Sequence, residues 1–184
     1  MARNRFPTVM KTAAALTGVA TGAMAALYAA YGQSAFLTAA IICGTTFYHF
    51  AMRLLLGALI PELTRSVNPE SDWFRLRGWE GKLHKLLRVK SWKKNLPTYD
   101  PGQFDLGKNS LEQVVRNMCN AELVHEGIMV CSFVPLLFAI PFGDFWVFMT
   151  TSLLAAMYDG IFVAAQRYNR PRLMGILKKK EARP

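Results

Sequence analysis

The first sixty residues contain no acidic side chain, and residues 127–166 contain no lysine or arginine and only two acids, Asp144 and Asp159. Charged residues make up 18% of the 184-residue chain, against about a quarter in an ordinary soluble domain. Cysteines number three (Cys43, Cys119, Cys131) without regular spacing, which excludes a disulfide-stapled scaffold. They suit small apolar fillers in a reducing or membrane setting. No Gly-rich phosphate loop, repeat of fixed period or low-complexity linker is present. The 52% hydrophobic content excludes disorder. A small basic membrane protein is what remains, and its mean hydropathy of +0.17 is unusual for a soluble chain.

Two nearly uncharged blocks flank a charged centre, and each reads as a pair of membrane helices. Residues 12–31 give about 20 uncharged, apolar positions, enough to cross the hydrocarbon. A turn at Gly32-Gln33-Ser34 leads to a second span over 35–59. Gly143-Asp144 then separates a third span, 121–142, from a fourth, 145–166. Pro135 kinks the third but is tolerated where a neighbour satisfies the freed carbonyl. Arg3, Arg5 and Lys11 resemble a signal-peptide n-region, but the apolar stretch is too long for one and a second span follows at once. The expected fold is all-α: a single membrane domain over 1–184, an integral four-helix bundle with a cytosolic segment 61–120 and a basic tail 167–184.

The net charge of +10 sits almost wholly on one side of that bundle. Eleven basic residues lie in 61–126 and seven in the tail, whereas the two short turns have none. By the positive-inside rule both termini are cytoplasmic in a multi-pass cell-membrane protein. Basic segments there are expected to meet anionic membrane lipids. No nucleic-acid motif accompanies the charge, so no nucleic-acid partner is expected.

Within the central segment, Asn68-Pro69-Glu70 is a helix-start signal. Trp73, Leu76, Trp79, Leu83 and Leu86 then recur at helical spacing between basic residues. That pattern suits an amphipathic helix lying in the interface, or one packing on a cytosolic core. Residues 95–109 read as a loop. Ser110-Leu111-Glu112-Gln113 matches a capping box, and a helix starting there runs without a breaker into the third span. One stripe of that helix is Leu111, Val115, Met118, Glu122, His125 and Met129, with Glu126 beside it. Burying such groups costs several kcal/mol unless they are paired or used, roughly.

His49 and Arg53 lie one turn apart on the second span. At 1.5 Å per residue Arg53 and Asp159 both fall about 10 Å inside the cytosolic boundary, and His49 about 15 Å. Three helices are thus expected to present His49, Arg53, Asp159, Glu122, His125 and Glu126 to one layer, and ionisable groups in spans are functional candidates. Arg53 pairing with Asp159 or a glutamate for helix docking, and a satisfied core His49, are the alternatives. Glu122-x-x-His125 is half of a di-iron carboxylate motif, but the second half is absent, so no metal is expected.

Three segments carry a resemblance: Lys90-Ser91-Trp92-Lys93-Lys94-Asn95-Leu96-Pro97, Glu122-Leu123-Val124-His125, and Gln166-Arg167-Tyr168-Asn169-Arg170-Pro171-Arg172-Leu173. Over roughly residues 85–173 the chain resembles the glycosyl-4,4'-diaponeurosporenoate acyltransferases, small bacterial membrane proteins of carotenoid biosynthesis. The resemblance implies transfer of a fatty acyl group to a hydroxyl of a membrane-bound glycolipid or other lipid. No bound cofactor is expected, with acyl-CoA or an acyl carrier as thioester donor.

A hydroxyl attacking a thioester needs a general base, for which His125 is the candidate, with Glu122 or Glu126 fixing its tautomer. Arg53 and His49 are candidate oxyanion donors. Arg167, Asn169, Arg170 and Arg172, with Trp92, Lys93 and Lys94, suit phosphates of the donor or a lipid headgroup. A lipid-directed methyltransferase or reductase, and a four-helix proton-coupled transporter, are the competing readings.

Overall fold

The computed structural model describes residues 5–182. Arg3, at the basic N-terminus, and Arg183 and Pro184, at the end of the tail, lie outside them. The described chain is all-α, without a strand, and four of its helical segments are long and apolar enough to cross a membrane. Apolar side chains such as Leu16, Val19, Ile42, Val130, Ile140 and Trp146 point outward from all four. An exposed apolar surface on every side suits a bundle surrounded by lipid.

Helix α1 (Phe6–Tyr31) carries proline in its first turn and ends at Gly32, whose N–H donates to Tyr28 O at 2.8 Å. Gly32 has φ +66°, a left-handed cap that a side chain would strain. The chain therefore reverses within three residues into α2 (Ser34–Leu63), which packs along α1. Both helices extend past the expected spans, by six residues at the start of α1 and four at the end of α2.

Between the second and third spans the structure departs from the expected single helix. Asn68 Oδ1 accepts from Glu70 N, and a one-turn 3-10 segment, Asp72–Phe74, ends at an extended Arg75. Helix α3 (Glu80–Leu86) follows, and Arg88, at φ +48°, separates it from α4 (Val89–Trp92). Periodicity over 73–86 is real, but the backbone carbonyls of Trp73 and Arg75 accept from the Arg167 guanidinium at 3.3 and 3.1 Å. A continuous helix would bind those carbonyls internally. The loop over 95–109 is held by its own side chains: Asp100 and Asp105 accept from the N–H groups of Gly102 and Gly107, and Asn109 donates to Gly102 O.

Helix α5 (Leu111–Cys131) starts where the capping box puts it, with Ser110 Oγ accepting from Gln113 N at 3.1 Å. Its N-terminal half is polar and its C-terminal half enters the third span. Gly127 faces α2, where a Cβ would lie 2.9 Å from the end of the Ile60 side chain. After Cys131 the span continues as a 3-10 stretch, Val134–Phe138, and a short α6 (Ala139–Phe142). Pro135 has no N–H for the Cys131 carbonyl, and Tyr48 Oη from α2 donates to that oxygen at 2.7 Å. Helix α7 (Phe145–Glu181) is 37 residues long, about 55 Å. It runs through Pro171 without ending, so most of the basic tail is a helical extension of the fourth span.

Candidate active site

Two ionic centres lie along α5 and α7, an inner one shared with α2 and an outer one shared with α3. In the inner one, His125 Nδ1 lies 2.9 Å from Asp159 Oδ1, and Asp159 Oδ2 accepts from Arg53 at 2.5 Å. Arg53 also donates to His49 O on its own helix at 3.0 Å and approaches Ala155 O at 3.5 Å. Asp159 is buried and its charge is met by the guanidinium. An ionised carboxylate can only accept, so in a neutral imidazole this contact favours the tautomer with the proton on Nδ1 and the lone pair on Nε2. The ring stacks on Phe162, centroids 4.5 Å apart at 11°, which fixes its plane. At 22% exposure the His125 side chain still reaches the surface of the bundle.

The outer centre is a charge-balanced quartet. Glu122, wholly buried, accepts from Arg167 at 2.6 Å and Arg170 at 3.0 Å. Arg167 also donates through both Nε and a terminal nitrogen to Glu80 on α3, at 3.0 and 2.7 Å. Two arginines thus face two carboxylates, which removes the net charge that makes burial costly. Burial raises the Glu80 pKa, but the Arg167 bonds outweigh it and hold the group below the usual carboxylate range. The unwound backbone at residues 73–75 completes this centre, and Trp73 Nε1 donates to Glu126 at 2.9 Å.

A third group lies beside the quartet on another face of α7. Lys93 bonds to Asn169, and the Lys93 and Arg172 cations sit 4.7 and 3.8 Å from the centroid of the Tyr168 ring. The buried His84 ring meets Tyr168 edge-on at 5.6 Å. Burial, followed by the cations Arg172 and Lys90, lowers the Lys93 pKa despite the opposing pull of Tyr168. Burial likewise lowers that of His84. The first and last motifs of the sequence therefore meet in space.

His125, Asp159 and Arg53 come together as the common layer anticipated. The carboxylate on His125, however, is Asp159 rather than Glu122 or Glu126. Those two lie three residues before and one after His125 on the same helix, and each points to another partner. Arg167 and Arg170 do not present free cations to a phosphate; Glu122 and Glu80 occupy them. Trp92 Nε1 donates to Leu87 O at 2.7 Å, and Lys94 is exposed. Both ring nitrogens of His49 are buried without a hydrogen-bond partner in the described structure. Glu80 was missed, although it is the only acid between residues 73 and 99. An isolated carboxylate in a basic stretch was the available signal. Among the described residues no three His, Cys, Asp or Glu side chains gather closely enough to hold a metal ion.

Fold and site define a multi-pass helical membrane protein with an imidazole–carboxylate–guanidinium chain between its helices. A family model described as glycosyl-4,4'-diaponeurosporenoate acyltransferase (CrtO) matches residues 70–179. The chain belongs to this family and is an acyltransferase. The matched stretch holds His125, Asp159, the whole outer quartet and the Lys93–Tyr168–Arg172 group; Arg53 and His49 precede it. Searches of curated proteins and of solved structures found no match.

Proposed function

We propose that the protein transfers a fatty acyl group from a thioester donor, acyl-CoA or an acyl carrier, to a hydroxyl of a membrane glycolipid. The observation carrying this is the His125–Asp159 contact, which leaves a basic Nε2 at the bundle surface. Nε2 takes the proton of the acceptor hydroxyl as its oxygen attacks the thioester carbonyl. The tetrahedral intermediate collapses as the carbon–sulfur bond breaks. The imidazolium then returns its proton to the leaving sulfur, giving an ester and a thiol. Asp159 stabilises the imidazolium and holds the ring. With Arg53 committed to Asp159, His49, whose buried ring nitrogens have no partner, is the remaining candidate for oxyanion donor.

Depth and charge support a membrane acceptor and a donor arriving from the cytoplasm. The basic end, taken as cytoplasmic by the positive-inside rule, carries α3, α4 and the extension of α7. His125 lies a few turns inward, where an acyl chain can stay in hydrocarbon while its carbonyl reaches the imidazole. The competing methyltransferase, reductase and transporter readings have no support from the family match.

Purified protein in lipid nanodiscs, supplied with acyl-CoA and a glycosylated carotenoid acid, tests this by mass spectrometry of the acylated product. His125→Ala is expected to lower product formation by about 10³-fold or more with helix content unchanged. Product at the native rate from that variant would remove His125 as the base.

A further inference from the structure

Every arginine in the two ionic centres has a carboxylate, as Arg53 pairs with Asp159, and Arg167 and Arg170 with Glu122. On the neighbouring face of α7, at Tyr168, Asn169 and Arg172, the pattern stops. Lys93 and Arg172 hold no carboxylate within ion-pair distance among the described residues, yet both are drawn to the same tyrosine ring. Bringing two like charges onto one ring is unfavourable unless an anion joins them. Asn169 orients the lysine, the Tyr168 ring lies within cation–π distance of both cations, and Arg172 is exposed. A guanidinium stacked on an aromatic face keeps its N–H fork free for a planar or tetrahedral oxyanion.

We infer that Lys93 and Arg172, mounted on Tyr168, form a phosphate-binding site at the polar end of the bundle. The ligand chemistry is a phosphate ester, carried either by the nucleotide end of a coenzyme A thioester or by a phospholipid headgroup. Assigning it to the donor rests on the acyl-transfer reading; phosphate binding itself does not. The site lies on the same helix as Asp159, 13 residues away for Arg172, which is about 20 Å. That distance suits a donor whose phosphates stay outside while a flexible arm carries the thioester inward.

The test uses full-length protein in phosphatidylcholine nanodiscs. Coenzyme A binding is measured by calorimetry, and retention of phosphatidylglycerol by mass spectrometry of lipid carried through exchange. Lys93→Gln/Arg172→Gln is compared with Lys179→Gln/Lys180→Gln, which removes the same charge from the exposed end of α7. The first variant is expected to weaken coenzyme A binding about tenfold or more, the second by less than about twofold. Loss of phosphatidylglycerol retention with coenzyme A binding intact would also support a phosphate site and give it to the lipid. Native binding of both ligands by Lys93→Gln/Arg172→Gln, equal losses in the two variants, or binding of neither ligand by the native protein would overturn it. His125→Ala should bind coenzyme A normally, so failure of the base assignment and failure of this site read out separately.

Discussion

His125 and Asp159 face each other across the α5–α7 interface with Nδ1 and Oδ1 2.9 Å apart, and this contact decides which nitrogen is the base. Asp159→Asn puts an amide in the same place, which can offer an N–H to Nδ1 and so move the ring proton to Nε2. The expected result is a fall in kcat of about 10²–10⁴-fold with donor affinity nearly unchanged. Initial rates at saturating acyl-CoA, with donor titrations alongside, check it. A fall in affinity with kcat preserved would place Asp159 in binding instead.

Glu122 has a different job from its neighbour three residues on. It has no exposed surface and holds two guanidinium groups, so Glu122→Gln leaves buried positive charge uncompensated. Breaking such a pair costs about 3–5 kcal/mol. The midpoint of thermal unfolding in detergent should fall sharply, and Glu122→Gln/Arg170→Met should recover part of the loss. A variant as stable as the native protein would show that the quartet adds little to holding α3 against α5 and α7.

The four spans, the two tight turns and the helix from Ser110 were legible because each rests on a local signal: hydropathy over a helix length, Gly at a reversal, a cap. Convergence of Arg53, His125 and Asp159 was legible for the same reason, since depth in a membrane follows from counting residues. Choice of partner was not. His125 could meet a glutamate on its own helix or an aspartate on another, and sequence spacing favours the former while helix rotation decides for the latter. The break at residues 75–78 was hidden too, because its cause is Arg167, some ninety residues away, drawing on carbonyls that a helix would have used.

The polar end should also set the protein's acid sensitivity. His84 is buried with its pKa lowered, first by burial, and further by Arg167 and Arg172 against the pull of Glu80. The unfolded chain therefore takes up the proton first, at about pH 6.5, and stability falls as pH drops from there toward the lower folded value. Glu80 acts in a lower window: its folded pKa is depressed, so its contribution is full above about pH 4.3 and is lost as pH falls through the folded value. Thermal midpoints between about pH 8 and pH 2 should show two descending limbs. His84→Gln should shrink the upper one and leave the lower.

Tyr48 offers the sharpest test of how the third span tolerates its proline. Its hydroxyl donates to the Cys131 carbonyl that Pro135 leaves without an intrahelical donor. Tyr48→Phe should cost about 1–2 kcal/mol, the loss of a bond to a partly buried acceptor. Pro135→Ala restores an N–H four residues beyond Cys131, so the same oxygen regains a partner from within the helix. In that background Tyr48→Phe should cost little. A double-mutant cycle on thermal unfolding in detergent measures the coupling directly. Equal costs in the two backgrounds would mean that the tyrosine stabilises the α2–α5 contact by packing alone.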